Sequence, residues 1–278
     1  MNTIADDNNL NHTLSDAELM RYARQILLDE WDIDAQQRLK TSGVLIVGVG
    51  GLGCPLAETL ARAGIGHITL LDDDVIDVSN LQRQSLFLPR DVGQPKALVA
   101  RERLQAINEF CQVTAYHTRL DDTNADDIFK QFNQNSLSKL ICDCTDNFST
   151  RNHLNRLAVK YQLPLLSASA IAQEGQLALY EAYLGTGCYQ CVFPDTGTQE
   201  DTRNCATSGV LASTTQIMAN LQAQAALAFL GLQKNSIASQ LLLWQGQTMN
   251  LRKLRYQQDP QCPVCAQPNQ AHSTLRVQ

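Results

Sequence analysis

The stretch Val44-Leu-Ile-Val-Gly-Val-Gly-Gly-Leu-Gly53 joins a short apolar run to a glycine-rich loop. Residues 44–47 predict a buried strand, and residues 54–63 predict the helix after the loop. The loop contains four glycines: Gly48, Gly50, Gly51 and Gly53. Because glycine has no side chain, such a loop lets backbone N–H groups approach phosphates at the N-terminus of the helix. The stretch predicts a nucleotide site in an α/β fold.

Strand and helix patterns alternate on both sides of this loop. Further strands are predicted at 68–71, 113–117 and 140–142, and helices at 15–28, 95–107, 125–132 and 150–161. This order predicts a mainly parallel sheet with helices on both faces. From residue 165 the pattern changes to strands at 165–169, 177–181 and 240–244, with a long apolar helix at 214–230. We expect a Rossmann-like α/β fold that continues into a more antiparallel C-terminal part, within a single domain over residues 1–278.

The composition limits the class of protein. The chain has 278 residues, of which 44% are hydrophobic, and this is enough for a substantial core. The net charge of -6 and the lack of a long basic run argue against an extended nucleic-acid surface. No apolar stretch reaches the roughly 20 residues of a membrane span. The polar start, residues 1–13, does not resemble a signal peptide and is expected to be a flexible extension, so the expected location is the cytoplasm.

Nine cysteines without an export signal indicate reduced thiols. Two Cys-x-x-Cys pairs, Cys188/Cys191 and Cys262/Cys265, can each offer two sulfurs to one ion, which suits tetrahedral Zn²⁺. Four thiolates leave no open position for water, so this zinc is expected to be structural and apart from the phosphates. Four further cysteines are expected to be small core residues: Cys54, Cys111, Cys142 and Cys144.

Asp72 lies about 20 residues beyond the glycine loop, where a ribose-binding carboxylate belongs. Taken alone, this pair of features favours a nicotinamide or flavin enzyme, and a tight turn without a ligand is the alternative. Arg83 and Lys96 lie on loops after the second strand. A triphosphate and a departing pyrophosphate carry more charge than a dinucleotide, and cationic side chains stabilise that charge. Together the two cations favour ATP chemistry, whereas each one alone is equally well explained as a solvated surface charge.

Asp143-Cys-Thr-Asp-Asn147 follows the predicted strand 140–142. In an open parallel sheet, ligands bind beyond the carboxyl ends of the strands, so this segment and the glycine loop should face one crevice. Asp146 would suit Mg²⁺, which commonly binds one or two protein oxygens plus substrate phosphates. The alternative is that Asp146 and Asn147 cap the following helix. Both interpretations stay open at this point.

In this order the motifs resemble the HesA/MoeB/ThiF family of ubiquitin-activating-enzyme-like adenylyltransferases. The resemblance covers residues 14–266. Its segments are Arg21-Tyr-Ala-Arg-Gln-Ile-Leu27, the glycine loop, Leu71-Asp-Asp-Asp74, Ser79-Asn-Leu-Gln-Arg-Gln84, Gly93-Gln-Pro-Lys96, Asp143-Cys-Thr-Asp-Asn147 and the two cysteine pairs. Each motif is weak alone, but the ordered set is specific.

The resemblance implies an enzyme that binds ATP with Mg²⁺ and the C-terminal Gly-Gly tail of a small ubiquitin-like sulfur-carrier protein. The tail carboxylate attacks the α-phosphate, which gives an acyl-adenylate and pyrophosphate. By the same resemblance, Gly51 and its neighbours hold phosphate, Asp72 contacts the ribose, and Asp146 acts on Mg²⁺. The phosphates are contacted by Asn80, Arg83 and Lys96.

Two further residues gain a role from the resemblance. Arg24 matches an arginine that family members supply to the neighbouring protomer, which implies a homodimer. Cys205 matches a cysteine that thiamine-pathway members can join to the carrier's carbonyl, and Arg203 beside it would favour the thiolate. This context slightly favours a ThiS-type carrier of thiamine biosynthesis. The alternative is the MoaD-type small subunit of molybdopterin synthase, in molybdenum cofactor biosynthesis, where such a cysteine can be non-essential.

The sulfur itself would come from a sulfurtransferase or a cysteine desulfurase. Two other classes of protein explain less of the sequence. An NAD-dependent oxidoreductase leaves Arg83, Lys96, Asp146 and the zinc without a role. A non-catalytic, zinc-stabilised binding module leaves the ATP-site residues without one.

Overall fold

The computed structural model describes residues 13–134, 136–194 and 209–266, and its elements follow the predicted alternation. The helices are α1 (Asp16–Ile26), α2 (Ile33–Lys40), α3 (Gly53–Ala63), α4 (Lys96–Ile107), α5 (Ala125–Gln134), α6 (Phe148–Tyr161), α7 (Tyr189–Val192) and α8 (Ala212–Gly231). The strands are β1 (Ser42–Val47), β2 (His67–Leu71), β3 (Gln112–Tyr116), β4 (Ser138–Asp143), β5 (Leu165–Ile171), β6 (Glu174–Tyr180), β7 (Gln240–Gln245) and β8 (Asn250–Arg255).

The strands of the described residues form one eight-stranded sheet in the order β3-β2-β1-β4-β5-β6-β7-β8. Strands β1 to β5 pair in parallel, whereas β6, β7 and β8 pair antiparallel. Strand β5 is the boundary, because it pairs parallel with β4 and antiparallel with β6. The antiparallel part therefore begins one strand later than the change of pattern at residue 165 indicates. The predicted fold class is confirmed.

The central strand β1 shows why the parallel part has apolar strands. All six of its residues are buried, because helices cover both faces of the sheet. Val44 and Ile46 pack on one face with α2, α3, α4 and α8. Leu45 and Val47 pack on the opposite face with α5 and α6. The alternation of side chains along one strand thus contributes to two separate apolar layers.

Helix α8 fills the first of these layers. It packs against α2, α3, β5 and β6, and its side chains Met218 and Ala223 are almost fully buried. The long apolar helix predicted at 214–230 is present, and it contributes to the core. Among the helices of the described ranges, α8 included, none is both long and apolar enough to cross a membrane.

Helix α1 begins with a capping box formed by Ser15 and Glu18. The Ser15 backbone N–H donates to Glu18 Oε2 at 2.8 Å, and the Glu18 N–H donates to Ser15 Oγ at 3.3 Å. Two donors of the first helical turn are thereby satisfied. The helix ends at Ile26, two residues before the predicted end.

Candidate active site

A cavity of about 520 Å³ opens at the carboxyl ends of β1, β2 and β4. Strand β1 lies between β2 and β4, so the loops after these strands surround one crevice, as ligand sites in open α/β sheets do. Most of the predicted nucleotide-site residues line this cavity: Gly48, Gly50, Gly51, Asp72, Asn80, Arg83, Lys96 and Asp146. The sheet therefore brings together motifs that lie far apart in the sequence.

The glycine loop has no room for side chains at two positions. Gly48 has a φ of 90°, and a Cβ there would lie 2.8 Å from the Cys144 carbonyl oxygen. A Cβ on Gly53 would lie 2.0 Å from the Gly48 carbonyl oxygen. Gly53 does not line the cavity, in contrast to the other three glycines of the loop. Gly53 is the first residue of α3, and its lack of a side chain lets the Gly48 carbonyl approach the start of the helix.

The Asp72 carboxylate is held by two backbone donors. Its Oδ2 accepts from the Val49 N–H at 2.6 Å, and its Oδ1 accepts from the Asp74 N–H at 2.9 Å. Burial raises the pKa of the Asp72 carboxyl above its ordinary value, while Lys96 and the two N–H donors oppose that rise. The side chain is therefore fixed in direction at the end of β2, beside the glycine loop.

Lys96 places a buried cation in the cavity wall. Its side chain is only 7% exposed, and its Nζ pairs with Asp74 Oδ2 at 2.7 Å. The backbone N–H of Lys96 also donates to the Asp74 carbonyl at 3.0 Å. Because Asp74 bonds to Asp72 as well, the cation and the carboxylate predicted for ATP are linked through one residue.

The turn over residues 79–84 carries three more cavity residues. The backbone N–H groups of Arg83 and Gln84 donate to the Asn80 carbonyl at 3.1 and 3.0 Å, so these side chains project from one helical turn. Arg83 Nη1 donates to the Ser79 carbonyl at 3.0 Å. The Arg83 stem lies 3.2 Å from the position of a Cβ on Gly51. The stem of Arg83 thus lies over the glycine loop, and its guanidinium is held by the Ser79 carbonyl.

Asp146 is exposed at the cavity, and the helix cap belongs to its neighbour. Asn147 Oδ1 accepts from the Thr150 N–H at 2.9 Å and so caps α6. The helix-cap interpretation therefore applies to Asn147, and the ligand-site interpretation applies to Asp146. Asn147 begins the helix, and Asp146 lines the cavity next to the glycine loop. An exposed carboxylate beside a phosphate loop fits the oxygen ligation that Mg²⁺ prefers.

A buried polar network fixes the loop that carries Asp146. The Asp143 carboxylate accepts from Thr145 N–H at 3.0 Å, from Thr145 Oγ1 at 2.7 Å and from Ser167 Oγ at 2.5 Å. Arg151 Nε lies 3.7 Å from Asp143 Oδ2, and Arg151 Nη2 donates to the Thr145 carbonyl. No sequence motif indicates a role for Arg151, although it follows the Asp-Asn motif by one helical turn.

Gln222 on the core helix α8 also holds this loop. Its side chain is fully buried, and its Nε2 donates to the carbonyls of Asp143 at 3.1 Å and Leu166 at 3.0 Å. The partners lie 79 and 56 residues away in the sequence, so no local pattern indicates this role. Because one amide bonds to the last residue of β4 and the second residue of β5, the start of the loop that carries Asp146 is tied to the core helix.

The four cysteines expected in the core are all buried: Cys54, Cys111, Cys142 and Cys144. Cys144 also lines the cavity, and its Sγ donates to Gln222 Oε1 at 3.4 Å. Burial raises the pKa of the Cys144 thiol well above its ordinary value. Burial therefore disfavours the thiolate, which is the nucleophilic form of cysteine.

The two Cys-x-x-Cys pairs form one cluster. The four Sγ atoms lie within 4.8 Å of one another. Sulfur–sulfur distances are 3.9 Å between Cys188 and Cys191, 3.7 Å between Cys188 and Cys262, and 3.4 Å between Cys191 and Cys265. A tetrahedral zinc with Zn–S bonds of about 2.3 Å needs sulfurs about 3.8 Å apart. The cluster therefore fits Zn²⁺.

The cysteine cluster adjoins one end of the cavity. None of its four sulfur-bearing residues lines the cavity, but Tyr189 and Phe193, at either end of α7, do so. Asn155 on α6 donates from Nδ2 to Cys188 Sγ at 3.4 Å and accepts from the Tyr189 N–H at 3.0 Å. The cluster is thus bonded to α6, the helix that follows Asp146.

Two predicted site residues lie elsewhere. Arg24 is exposed on α1 and is not among the residues that line the cavity. Cys205 lies outside the described residues.

A model of the ThiF family matches residues 22–264. The sulfur carrier protein ThiS adenylyltransferase of Escherichia coli K12 is 40% identical over 257 residues, which cover 92% of this chain and 98% of that protein. The molybdopterin-synthase adenylyltransferase of the same strain is 38% identical over 254 residues, covering 91% and 99%. The adenylyltransferase and sulfurtransferase MOCS3 of Danio rerio is 40% identical over 259 residues, and the match spans only 55% of that longer protein.

Solved structures share the fold at lower identity. The crystal structure of E. coli MccB with ATP has a TM-score of 0.74 and 24% identity, with coverage of 88% of this chain and 73% of that chain. The family model extends from α1 to the second cysteine pair, and the two E. coli relatives are matched over almost their full length. The chain belongs to the ThiF family.

Proposed function

We propose that this protein uses ATP and Mg²⁺ to adenylate the C-terminal glycine carboxylate of a small ubiquitin-like sulfur-carrier protein. One observation supports this most directly. A single cavity joins a phosphate-type glycine loop to Asp72, to the cations Arg83 and Lys96, and to the exposed carboxylate of Asp146. The two E. coli relatives are named as adenylyltransferases, one of them of the sulfur carrier ThiS.

Each group has a place along ATP in this proposal. Asp72, fixed by two backbone donors, accepts hydrogen bonds from the ribose hydroxyls. The glycine loop directs backbone N–H groups and the N-terminus of α3 at the phosphates. Arg83, Lys96 and the Asn80 amide, which line the same cavity, contact the phosphates. Asp146 would hold Mg²⁺, which would supply positive charge to stabilise the phosphate oxygens.

The reaction is a displacement at the α-phosphorus. A carboxylate oxygen of the tail forms the new P–O bond, and the bond from the α-phosphorus to the bridging oxygen breaks with its electrons going to pyrophosphate. The leaving group gains negative charge, which Arg83 and Lys96 offset. No proton transfer is needed, because the attacking carboxylate is already ionised. Catalysis then depends on positioning and charge stabilisation, for which the rigidly mounted Asp143–Asp146 loop is suited.

The activated carbonyl would next accept sulfur from a sulfurtransferase or a cysteine desulfurase. The active enzyme would be a homodimer in which Arg24 serves the neighbouring protomer's site. Its exposed position on α1, away from its own cavity, is consistent with that role.

ATP–pyrophosphate exchange tests the proposed function. Labelled pyrophosphate should enter ATP only when a Gly-Gly-tailed carrier and Mg²⁺ are both present. A carrier that lacks its last glycine is the control, and it should give background exchange. Exchange that is independent of the carrier, or NADH binding in place of ATP binding, would contradict the proposal.

Cys205 separates the two carriers that the proposal allows. We infer a ThiS-type carrier, because the Arg203-Asn-Cys205 context resembles thiamine-pathway members. Cys205→Ser should then adenylate its carrier at the normal rate, since attack on the α-phosphate needs no thiol. It should form at least about tenfold less thiocarboxylate, because the adenylated carbonyl would lack its nucleophile.

Intact-mass analysis of the carrier follows both steps in one sample. The control is Cys111→Ser, a thiol change outside the cavity. Thiocarboxylate formation by Cys205→Ser at the wild-type rate would exclude a covalent role for Cys205. The MoaD-type carrier would then be the better assignment.

A further inference from the structure

Gln84 is a buried cavity residue to which neither the sequence motifs nor the proposed mechanism gives a role. Its side chain lines the cavity, yet the residue is only 3% exposed. Within the described ranges its Oε1 has no hydrogen-bond partner. Buried polar atoms are usually paired, because an unpaired one loses its hydrogen bonds to water on folding. Because Oε1 is an acceptor and could not bond to a phosphate oxygen, its unpaired state shows only that an amide is kept at this cavity at a cost that packing does not require.

The position of this amide points to phosphate. Gln84 follows Asn80 by four residues in one helical turn, so both amides project from the same side of that turn. The Gln84 Nε2 lies 3.7 Å from where a Cβ on Gly50 would be. Arg83 covers Gly51 in the same way. The two consecutive glycines of the loop are therefore each covered by one side chain from residues 83 and 84.

A neutral amide suits this place chemically. The cavity already holds the cations Arg83 and Lys96, and the phosphate oxygens are strong acceptors. An N–H donor adds a hydrogen bond to such an oxygen without a further charge to desolvate. A methionine of similar length could fill the same slot without leaving an unpaired buried atom, so packing alone does not explain the amide.

We propose that the Gln84 amide donates from Nε2 to an oxygen of the ATP phosphates where they meet the glycine loop. This inference rests on the proposed function, because it names a contact of the same nucleotide site. It makes Gln84 a substrate-binding residue in addition to Asn80, Arg83 and Lys96.

Gln84→Met tests the contact, with Gln84→Glu as a second variant. Calorimetric titration with MgATP, without carrier, should show binding weakened by about tenfold or more for Gln84→Met, because a hydrogen bond to a charged group is lost. Gln84→Glu should weaken binding further, since a carboxylate repels phosphate. Adenosine, which has no phosphates, should compete equally well for the wild type and Gln84→Met. The melting temperature of Gln84→Met should be unchanged or higher, because an unpaired buried acceptor is removed.

The matched control is Gln94→Met. Gln94 is exposed, does not line the cavity, and donates from Nε2 to the Arg90 carbonyl at 3.3 Å. This variant should bind MgATP like the wild type. If Gln84→Met binds MgATP within twofold of wild type, or if it loses ATP and adenosine equally with a lower melting temperature, the inference is wrong. A wild-type protein that does not bind MgATP would instead contradict the proposed function itself.

Discussion

Asp146→Ala is expected to lower ATP–pyrophosphate exchange by at least about a hundredfold, because a metal position contributes several kcal/mol to the transition state of phosphoryl-type transfer. The Asp146 carboxylate is exposed at the cavity, where it can bind a metal ion without supporting the fold. Asp146 lines the cavity beside the glycine loop, while Asn147 caps the helix and the buried Asp143 network holds the loop. Removal of an exposed carboxylate should therefore leave the fold intact, with a melting temperature within about 2 °C of wild type.

Asp127→Asn is the matched control for this variant. Asp127 is an exposed carboxylate on α5 whose partner, Lys130, lies 4.0 Å away, and it does not line the cavity. Exchange by this control should equal that of the wild type. A further variant, Asp146→Asn, should be assayed over a range of Mg²⁺ concentrations. Because its metal site would be weakened, it should need more Mg²⁺ than the wild type for the same exchange rate. Full exchange activity in Asp146→Ala, at the same Mg²⁺ concentration, would remove this residue from the mechanism.

The second large effect concerns stability. Loss of zinc, either by chelation or through Cys262→Ala, is expected to lower the melting temperature by on the order of 10 °C, because the binding free energy of a structural zinc contributes to folding. The cluster joins the segment after β6 to the segment after β8. It is also bonded to α6 through Asn155, so its loss should loosen the cavity wall at Tyr189.

The two treatments should not be additive. A chelator should lower the melting temperature of the wild type but leave that of Cys262→Ala unchanged, since the variant already lacks the site. Cys111→Ala is the control: it removes a buried thiol outside the cluster, and its protein should still respond to the chelator. Elemental analysis should find one zinc per wild-type chain. Reduced protein that contains no zinc and ignores the chelator would contradict the metal assignment.

Periodicity predicted the elements with a buried face. All six residues of β1 and 11 of the 20 residues of α8 are buried, so the hydrophobic pattern alone located both elements within a few residues. Strand β8 has no buried residue, and its sequence Asn-Leu-Arg-Lys-Leu-Arg has no apolar face to detect. Helix α2 was not predicted, because it is short. Asp32 could have indicated its start, since Asp32 Oδ1 accepts from the Ala35 N–H at 2.8 Å and caps the helix.

The candidate site likewise contains residues that the sequence could predict and residues that it could not. Residues that meet a ligand, such as Asp72 and Lys96, stand in motifs and could be found one by one. The groups that hold them could not, since their partners come from distant parts of the chain. Gln222 reaches Asp143 only because α8 packs where β4 ends and β5 begins. The pairing of Lys96 with Asp74 likewise depends on the fold of the loop between them.

The most direct test of the central claim is to follow ATP itself by phosphorus NMR with wild-type enzyme, Mg²⁺ and a Gly-Gly-tailed carrier. Attack on the α-phosphate predicts that pyrophosphate appears, and that AMP appears in equal amount once the carrier adenylate is released by added thiol or water. Both products should be missing when the carrier lacks its terminal glycine. Appearance of ADP and inorganic phosphate would place the attack at the γ-phosphate and contradict the account.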